Sequence, residues 1–201
     1  MGDGFPRSDC VLGLWGTPSR KHPEYYGGDI PWVKTGDLGP KVLSAASESI
    51  TNEGVEKSSA KFFPKGSAVI AMYGATIGKT SILGIDATTN QACAVGQPVP
   101  EVTTSDFLYY SLVNEKDEFI RKGKGGAQPN ISQTLIKEHQ VALPPFAEQK
   151  QIAAKLDELL AQVDSIKTRL DAIPDIFKHF RQSVLAAAFD GRLTESWRSN
   201  F

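Results

Sequence analysis

The spacing of apolar positions changes near Phe146, and the change divides the chain. Before it, apolar residues come in short runs bounded by Gly, Asn or Asp: Val69-Ile70-Ala71-Met72-Tyr73, Ser81-Ile82-Leu83-Gly84-Ile85 and Ala92-Cys93-Ala94-Val95. Runs of this length between turn-forming residues predict buried strands. The stretch from Ser105 to Val113 predicts a helix with Ser105 as its N-cap, since a hydroxyl there can accept a free amide of the first turn. Ser132 to Lys137 predicts a second short helix, ahead of a strand-like His139-Gln140-Val141-Ala142-Leu143. Residues 1–145 therefore read as a loop-rich, mixed α/β domain, and the chain as a whole as an α+β protein.

From Phe146 onward the period is helical. Ile152, Leu156, Leu159, Val163, Ile166, Leu170 and Ile173 are spaced alternately four and three residues apart, an a/d seam with Lys, Asp, Glu and Gln between. A helix over 146–173 would be roughly 40 Å long at 1.5 Å per residue. Pro174 ends it and can open the next, whose apolar face is Ile176, Phe177, Phe180, Val184, Leu185, Ala188 and Phe189, before Gly191 stops it. Residues 146–201 thus form a helical region that either folds on itself as a hairpin or pairs with a helix of a partner or second copy.

Composition bounds the function. The chain has 201 residues, 40% of them hydrophobic, which suffices for a genuine core and excludes a low-complexity chain. No apolar run approaches the ~20 residues that span a bilayer. Met1-Gly2-Asp3-Gly4-Phe5-Pro6-Arg7 has no apolar signal core, so the expectation is a cytoplasmic protein with no membrane partner. Cys10 and Cys93 are read as reduced thiols, with pairing in an oxidising compartment as the alternative. The formal charge is −1, which on its own argues against a nucleic-acid binder.

Splitting the charge changes the picture locally. Residues 1–145 hold 14 basic and 15 acidic residues, and 146–201 hold 8 of each. Between Glu118 and Glu138, however, lie Arg121, Lys122, Lys124 and Lys137 and no acid, around Gly123, Gly125, Gly126, Gln128 and Asn130. A basic, Gly-rich loop with amide side chains suits phosphate and base contacts, and its alternative is an ordinary solvated loop.

Three catalytic look-alikes fail. Gly74-Ala75-Thr76-Ile77-Gly78-Lys79-Thr80 has three residues between its glycines where a nucleotide-binding loop needs four, and Tyr73 would obstruct phosphate approach. It reads better as a strand–turn–strand. Leu143-Pro144-Pro145-Phe146 carries leucine where an amino-methyltransferase needs a hydrogen-bond acceptor, so the prolines read as a rigid connector. His22, His139 and His179 are too scattered for a metal site. No catalytic residue, cofactor or metal is assigned to the chain.

In order and spacing, several blocks resemble the DNA specificity subunit of Type I restriction–modification systems. Gly16-Thr17-Pro18-Ser19 and the run from Tyr25 through Pro31-Trp32-Val33-Lys34-Thr35-Gly36-Asp37-Leu38 resemble the opening of a target-recognition domain. Thr89-Asn90-Gln91-Ala92 resembles its middle and Gly126-Ala127-Gln128-Pro129-Asn130-Ile131-Ser132 its closing loop. Leu143-Pro144-Pro145-Phe146-Ala147-Glu148-Gln149 through Leu156-Asp157 is similar to the junction into a spacer helix. Arg181-Gln182-Ser183-Val184-Leu185-Ala186 and Gly191-Arg192-Leu193-Thr194 resemble the end of the family's central helical region.

The resemblance implies a non-catalytic subunit whose recognition domain reads one half of a bipartite double-stranded DNA target. It implies helices that dock adenine methyltransferase subunits, with a restriction subunit as a further partner. S-adenosylmethionine and ATP are then expected on those partners. The family's usual subunit has two recognition domains and two helical regions, and this chain has one of each. The expectation is a half-subunit, or the first half of a longer one, that forms a homodimer by pairing the 146–173 helices antiparallel. Candidates for gripping phosphates are Arg20, Lys21, Lys79, Lys122 and Lys124. Candidates for base contact are Lys34, Thr35, Tyr73, Thr76, Gln128 and Asn130. For Lys34 and Thr35 the alternative is an exposed strand end, and Asn90 and Gln91 are expected to hold a turn through side-chain to backbone hydrogen bonds.

Overall fold

The computed structural model describes residues 16–123 and 130–200. The chain forms two compact units, the first running through Ala153 and the second beginning at Ala154.

Among the described residues of the first unit, eight strands form two four-stranded sheets. They are β1 (Tyr26–Val33), β2 (Val42–Leu43), β3 (Glu48–Ile50), β4 (Phe62–Phe63), β5 (Ala68–Ala71), β6 (Thr80–Leu83), β7 (Ala87–Thr89) and β8 (Cys93–Gly96). One sheet has the order β3-β1-β7-β4 and the other β2-β6-β5-β8. Pairing is antiparallel except for β1–β7 and β2–β6.

The three apolar runs of the sequence are β5, β6 and β8, and every residue in them is buried. Strand geometry explains why, because alternate side chains point to opposite faces and here both faces are covered. Val69, Ala71, Leu83, Cys93 and Val95 face the other sheet and pack with Val33, Phe63 and Ala87. Ala68, Ile70, Met72 and Ala94 face helices, packing with Leu108, Leu112, Phe119 and Ile131. A third cluster, Trp32, Ile50 and Ala60, lies on the first sheet with Val55 of α1 (Asn52–Glu56) against it. Each large side chain buried this way contributes about 1.5–3 kcal/mol. Gly28 lies at an irregularity in the β1–β3 pairing, where a Cβ would sit 2.6 Å from the Ile50 carbonyl oxygen.

Gly74-Ala75-Thr76-Ile77-Gly78-Lys79 is the turn between antiparallel β5 and β6, as the failed nucleotide motif suggested. Gly78 turns there with φ +76°, and the Lys116 side-chain stem lies where its Cβ would be.

Three short helices follow: α2 (Ser105–Asn114), α3 (Lys116–Lys122) and α4 (Gln133–Glu138). The expected helix over Ser132–Lys137 forms one residue later, because Ser132 is its cap, accepting the Leu135 amide at 3.1 Å. The cap of α2, however, is Thr104 and not Ser105. Thr104 is the extended residue before the helix, so its hydroxyl reaches the Phe107 amide at 3.1 Å, while Ser105 is already helical. The expected strand over His139–Leu143 does not form either. Pro144 and Pro145 bring no N–H donors to its end. His139 is held instead by its side chain, with Nε2 2.9 Å from Glu115 Oε2 and its ring edge-on to Phe119.

Cys93 is a free, buried thiol, which burial first and the Asp37 charge second push up to about 12. It should resist iodoacetamide at pH 8 in the folded protein and react on denaturation, as checked by peptide mass spectrometry. Labelling of Cys93 in the native state would place it nearer the surface. Cys10 lies outside the described residues.

The long helix α5 (Phe146–Asp171) starts in the first unit, and only Gln149 and Ala153 on it are buried. In the second unit α5 gives way at Ala172, a single αR residue, to α6 (Ile173–Phe189). The predicted helix over 146–173 therefore ends two residues earlier, because Pro174 has no N–H to bond Leu170. Gly191, left-handed at φ +70°, closes α6, and a 3-10 turn leads into α7 (Glu195–Arg198). From Asp157 to Asn200 every residue but Ala187 and Gly191 is exposed. The hairpin alternative is thus not what forms: Leu159, Val163, Ile166 and Leu170 stay 44–57% exposed, and Phe177 and Phe180 more so. Among the described residues, no helix is long and apolar enough to cross a membrane.

Candidate nucleic-acid interface

Parallel β1 and β7 finish at the same end of the first unit, where β5 also ends and β6 and β8 begin. Their connections are stitched together by backbone hydrogen bonds. The Asn90 amide donates to the Val33 carbonyl at 3.0 Å, that of Met72 to Ala92 at 2.8 Å, and that of Ile131 to Met72 at 2.8 Å. This brings together Lys34 and Thr35 after β1, the Asn90-Gln91 turn, the Tyr73–Lys79 turn and Asn130. Thr17 reaches the same place, donating its hydroxyl to Gln91 Oε1.

Within this end, Thr35 and Thr76 are half-buried while Lys79 and Asn130 are exposed. Tyr73 packs with Ile77 against the helix-facing core, and burial raises its phenol. The turn is not held by the expected side-chain bonds: the Cys93 amide donates to the Asn90 backbone carbonyl at 3.1 Å, while Gln91 Oε1 accepts from the Thr17 hydroxyl instead. Among the described residues, three buried polar atoms near this end have no protein hydrogen-bond partner: Trp32 Nε1, Thr89 Oγ1 and Asn90 Oδ1.

The cations fall into two groups. Arg20 and Lys34 share the two oxygens of Glu48, at 2.7 and 2.6 Å. The Lys34 hydrogen bond first, then that of Arg20, holds the Glu48 carboxyl below its usual range. Lys34 is further fixed by its own amide, which donates to Asp37 Oδ2 at 2.9 Å. Lys21 and Lys79, by contrast, are exposed and carry no ion pair among the described residues. Lys122 ends α3, where it and Arg121 bracket Glu118 at 2.9 and 2.7 Å. The acid-free stretch of sequence is thus partly neutralised by an acid one helical turn before it. Lys124 and Gln128 lie outside the described residues, but Gly123 and Asn130 on either side lie together, with a Gly123 Cβ 3.0 Å from the Asn130 carbonyl oxygen.

The helical seam is divided. Ile152 is half-buried and, with Phe107, Leu143, Pro144 and Glu148, lines an open pocket of about 950 Å³ in the first unit. Leu156 is half-buried, and Leu159, Val163, Ile166, Leu170 and Ile173 are exposed.

Sequence reasoning missed two side chains that organise the first unit. Glu48 pairs with residues 28 and 14 positions away, a relation no local pattern shows. Gln149 is fully buried; its Nε2 donates to the carbonyls of Val102 and Pro144, and its Oε1 accepts the Thr104 amide. Its place in the Pro-Pro-Phe-Ala-Glu-Gln block was the signal available.

Among the described residues no group of His, Cys, Asp and Glu could hold a metal ion. The fold and the matched sequence together define a DNA specificity domain. Residues 16–175 match the family described as the Type I restriction modification DNA specificity domain, and the chain belongs to that family. It is 46% identical over 100 residues to the EcoDI specificity subunit of Escherichia coli, covering 50% of this chain and 22% of that one. It is 32% identical over 173 residues to the MjaIX specificity subunit of Methanocaldococcus jannaschii, covering 82% of this chain and 40% of that one. A chain from a structural study of assembly and conformational transition in the type I R-M system shares the fold. Its TM-score is 0.69 at 22% identity, over 90% of this chain and 43% of that one. The chain spans less than half the length of these relatives.

Proposed function

We propose that the first unit reads one half of a bipartite double-stranded DNA target, and that the helices dock adenine methyltransferase subunits and a second copy of this chain. The gathering of Lys34, Thr35, Tyr73, Thr76, Lys79 and Asn130 at one end of two packed sheets carries this reading. Those residues come from three separate connections, and a surface built from loop ends on a rigid scaffold suits base-edge readout. Lys21 and Lys79 supply phosphate contacts, which position the domain without specifying sequence. The chain itself is non-catalytic in this reading and works in the cytoplasm. S-adenosylmethionine and ATP belong to its methyltransferase and restriction partners. A two-fold dimer would present the same reader twice and so take an interrupted palindrome.

The charge of −1 and the carboxylates beside Arg20, Lys34 and Lys122 favour a second reading, a helical decoy that occupies methyltransferase subunits and binds DNA poorly. Methylation mapping separates the two. DNA exposed to this chain together with a Type I methyltransferase subunit should acquire methyladenine at one sequence context, arranged as two half-sites. Methylation without a sequence context, or none beyond that of the methyltransferase alone, would support the decoy.

A further inference from the structure

Arg20 is built into its place more firmly than a phosphate contact requires. Its Cζ lies 4.2 Å from the Tyr26 ring centroid and 5.4 Å from that of Trp32, and the two rings meet edge to face. Trp32 is buried, and Tyr26 is anchored by its hydroxyl, which donates to the Pro18 carbonyl. One N–H of Arg20 Nη2 donates to Glu48 Oε2 at 2.7 Å. Among the described residues the guanidinium makes no other hydrogen bond, and the side chain remains 59% exposed.

We propose that Arg20 reads a guanine in the half-site and that Glu48 is the positioning residue that aims it. The inference rests on the half-site reading above. Guanine presents two acceptors, O6 and N7, in the major groove, and a guanidinium fork matches both. Adenine and cytosine each present an amino donor there, which the fork rejects. Such a reader gains from losing little rotamer freedom on binding, and the aromatic shelf with the Glu48 hydrogen bond supplies that. Charge points the same way. Arg20, Lys34 and Glu48 together carry a net +1, so the trio attracts phosphates less than two unpaired cations would. Lys21 and Lys79, exposed and without an ion pair among the described residues, are better suited to gripping. The same carboxylate fixes Lys34 as a neighbouring donor.

The test is selection from a randomised duplex library by the full chain bound to a Type I methyltransferase subunit, read by sequencing. The wild type should enrich a half-site containing guanine. R20A and R20K should each lose preference at that one position by about tenfold or more, with the remaining positions unchanged. R20K keeps the charge, so it separates the fork from the cation, and an unchanged melting temperature shows that it folds. E48Q should relax the same position and steepen the salt dependence of binding to random DNA, because one anion has gone. A merely structural Glu48 would not relax one position alone. A consensus that R20K leaves intact, or weakens equally at every position, overturns the assignment of Arg20 and leaves the half-site reading standing. A wild type that enriches no consensus overturns both.

Discussion

Replacing Gln149 with leucine should lower the stability of the first unit by about 3 kcal/mol, seen as a melting temperature about 6–12 °C lower. The side chain is fully buried, and its amide meets three backbone groups: the carbonyls of Val102 at 2.8 Å and Pro144 at 3.0 Å, and the amide of Thr104 at 3.1 Å. Leucine fills much of the volume but leaves all three groups without a partner and out of water, at about 1–3 kcal/mol each before relaxation. Thr104 is also the residue that caps α2, so the first turn of α5 and the start of α2 loosen together.

The glutamate variant gives the sign of the effect. A buried carboxylate facing two carbonyls is favoured in its protonated form, so its folded pKa lies above the unfolded value near 4.3. Whatever stability Q149E retains is full below the unfolded pKa and is lost as pH rises through the folded one. Its deficit relative to the wild type should therefore shrink on acidification. Thermal melts by circular dichroism at several pH values check both variants. A Q149L loss below 1 kcal/mol would mean that the amide does not lock the junction.

The second large effect lies in the helical seam. A double substitution, Leu159→Asp with Ile166→Asp, should convert a dimer of this chain to a monomer. Leu159, Val163, Ile166 and Leu170 stand 44–57% exposed in a row, and neither α6 nor α7 covers them. Heptad seams of this kind are buried by a second helix. Two aspartates per helix would put four carboxylates into the paired seam, each costing several kcal/mol without a partner. Because the positions are exposed within the chain, its helix content and the melting of the first unit should hardly change. Sedimentation or light scattering reads the mass. A variant that keeps the mass of two chains would show that the copies pair elsewhere, and a monomeric wild type would remove the homodimer.

The sequence made the second sheet legible and the first one obscure. β5, β6 and β8 are continuous apolar runs because both their faces are covered, and the helical seam is legible because its period is 3.5. β1, by contrast, is Tyr-Gly-Gly-Asp-Ile-Pro-Trp-Val, and β7 buries two threonines, so neither shows the usual signature. Thr88 is tolerated there because its hydroxyl donates to the Pro31 carbonyl at 3.0 Å. His139–Leu143 failed in the opposite direction: its pattern is strand-like, but a strand needs a neighbour, and local pattern carries no information about one. Thr104 and Ser105 are both good caps, and only the backbone angles decide between them.

For the candidate interface, the sequence blocks fall on connections that the fold gathers at one end, but charges counted along the chain misjudge the electrostatics. Arg20, Lys34 and Lys122 look like free cations when charges are counted along the chain. Glu48 and Glu118 change that through folding, one across a sheet and the other across a helical turn.

The interleaving of the two sheets sets the order in which the chain can fold. Strands β1, β3, β4 and β7 build one sheet while β2, β5, β6 and β8 build the other, so the polypeptide passes repeatedly between them. The central pairing of the first sheet joins Trp32 to Thr88, and the second is completed only by β8, which ends at Gly96. Most of the first unit must therefore be synthesised before either sheet can close, and the entropy of those long loops is lost before the pairing compensates for it. The α5–α7 region relies on contacts between near neighbours in sequence and forms on a faster timescale. These helices are nevertheless made last, so their apolar faces emerge only after every strand of the first unit has been synthesised.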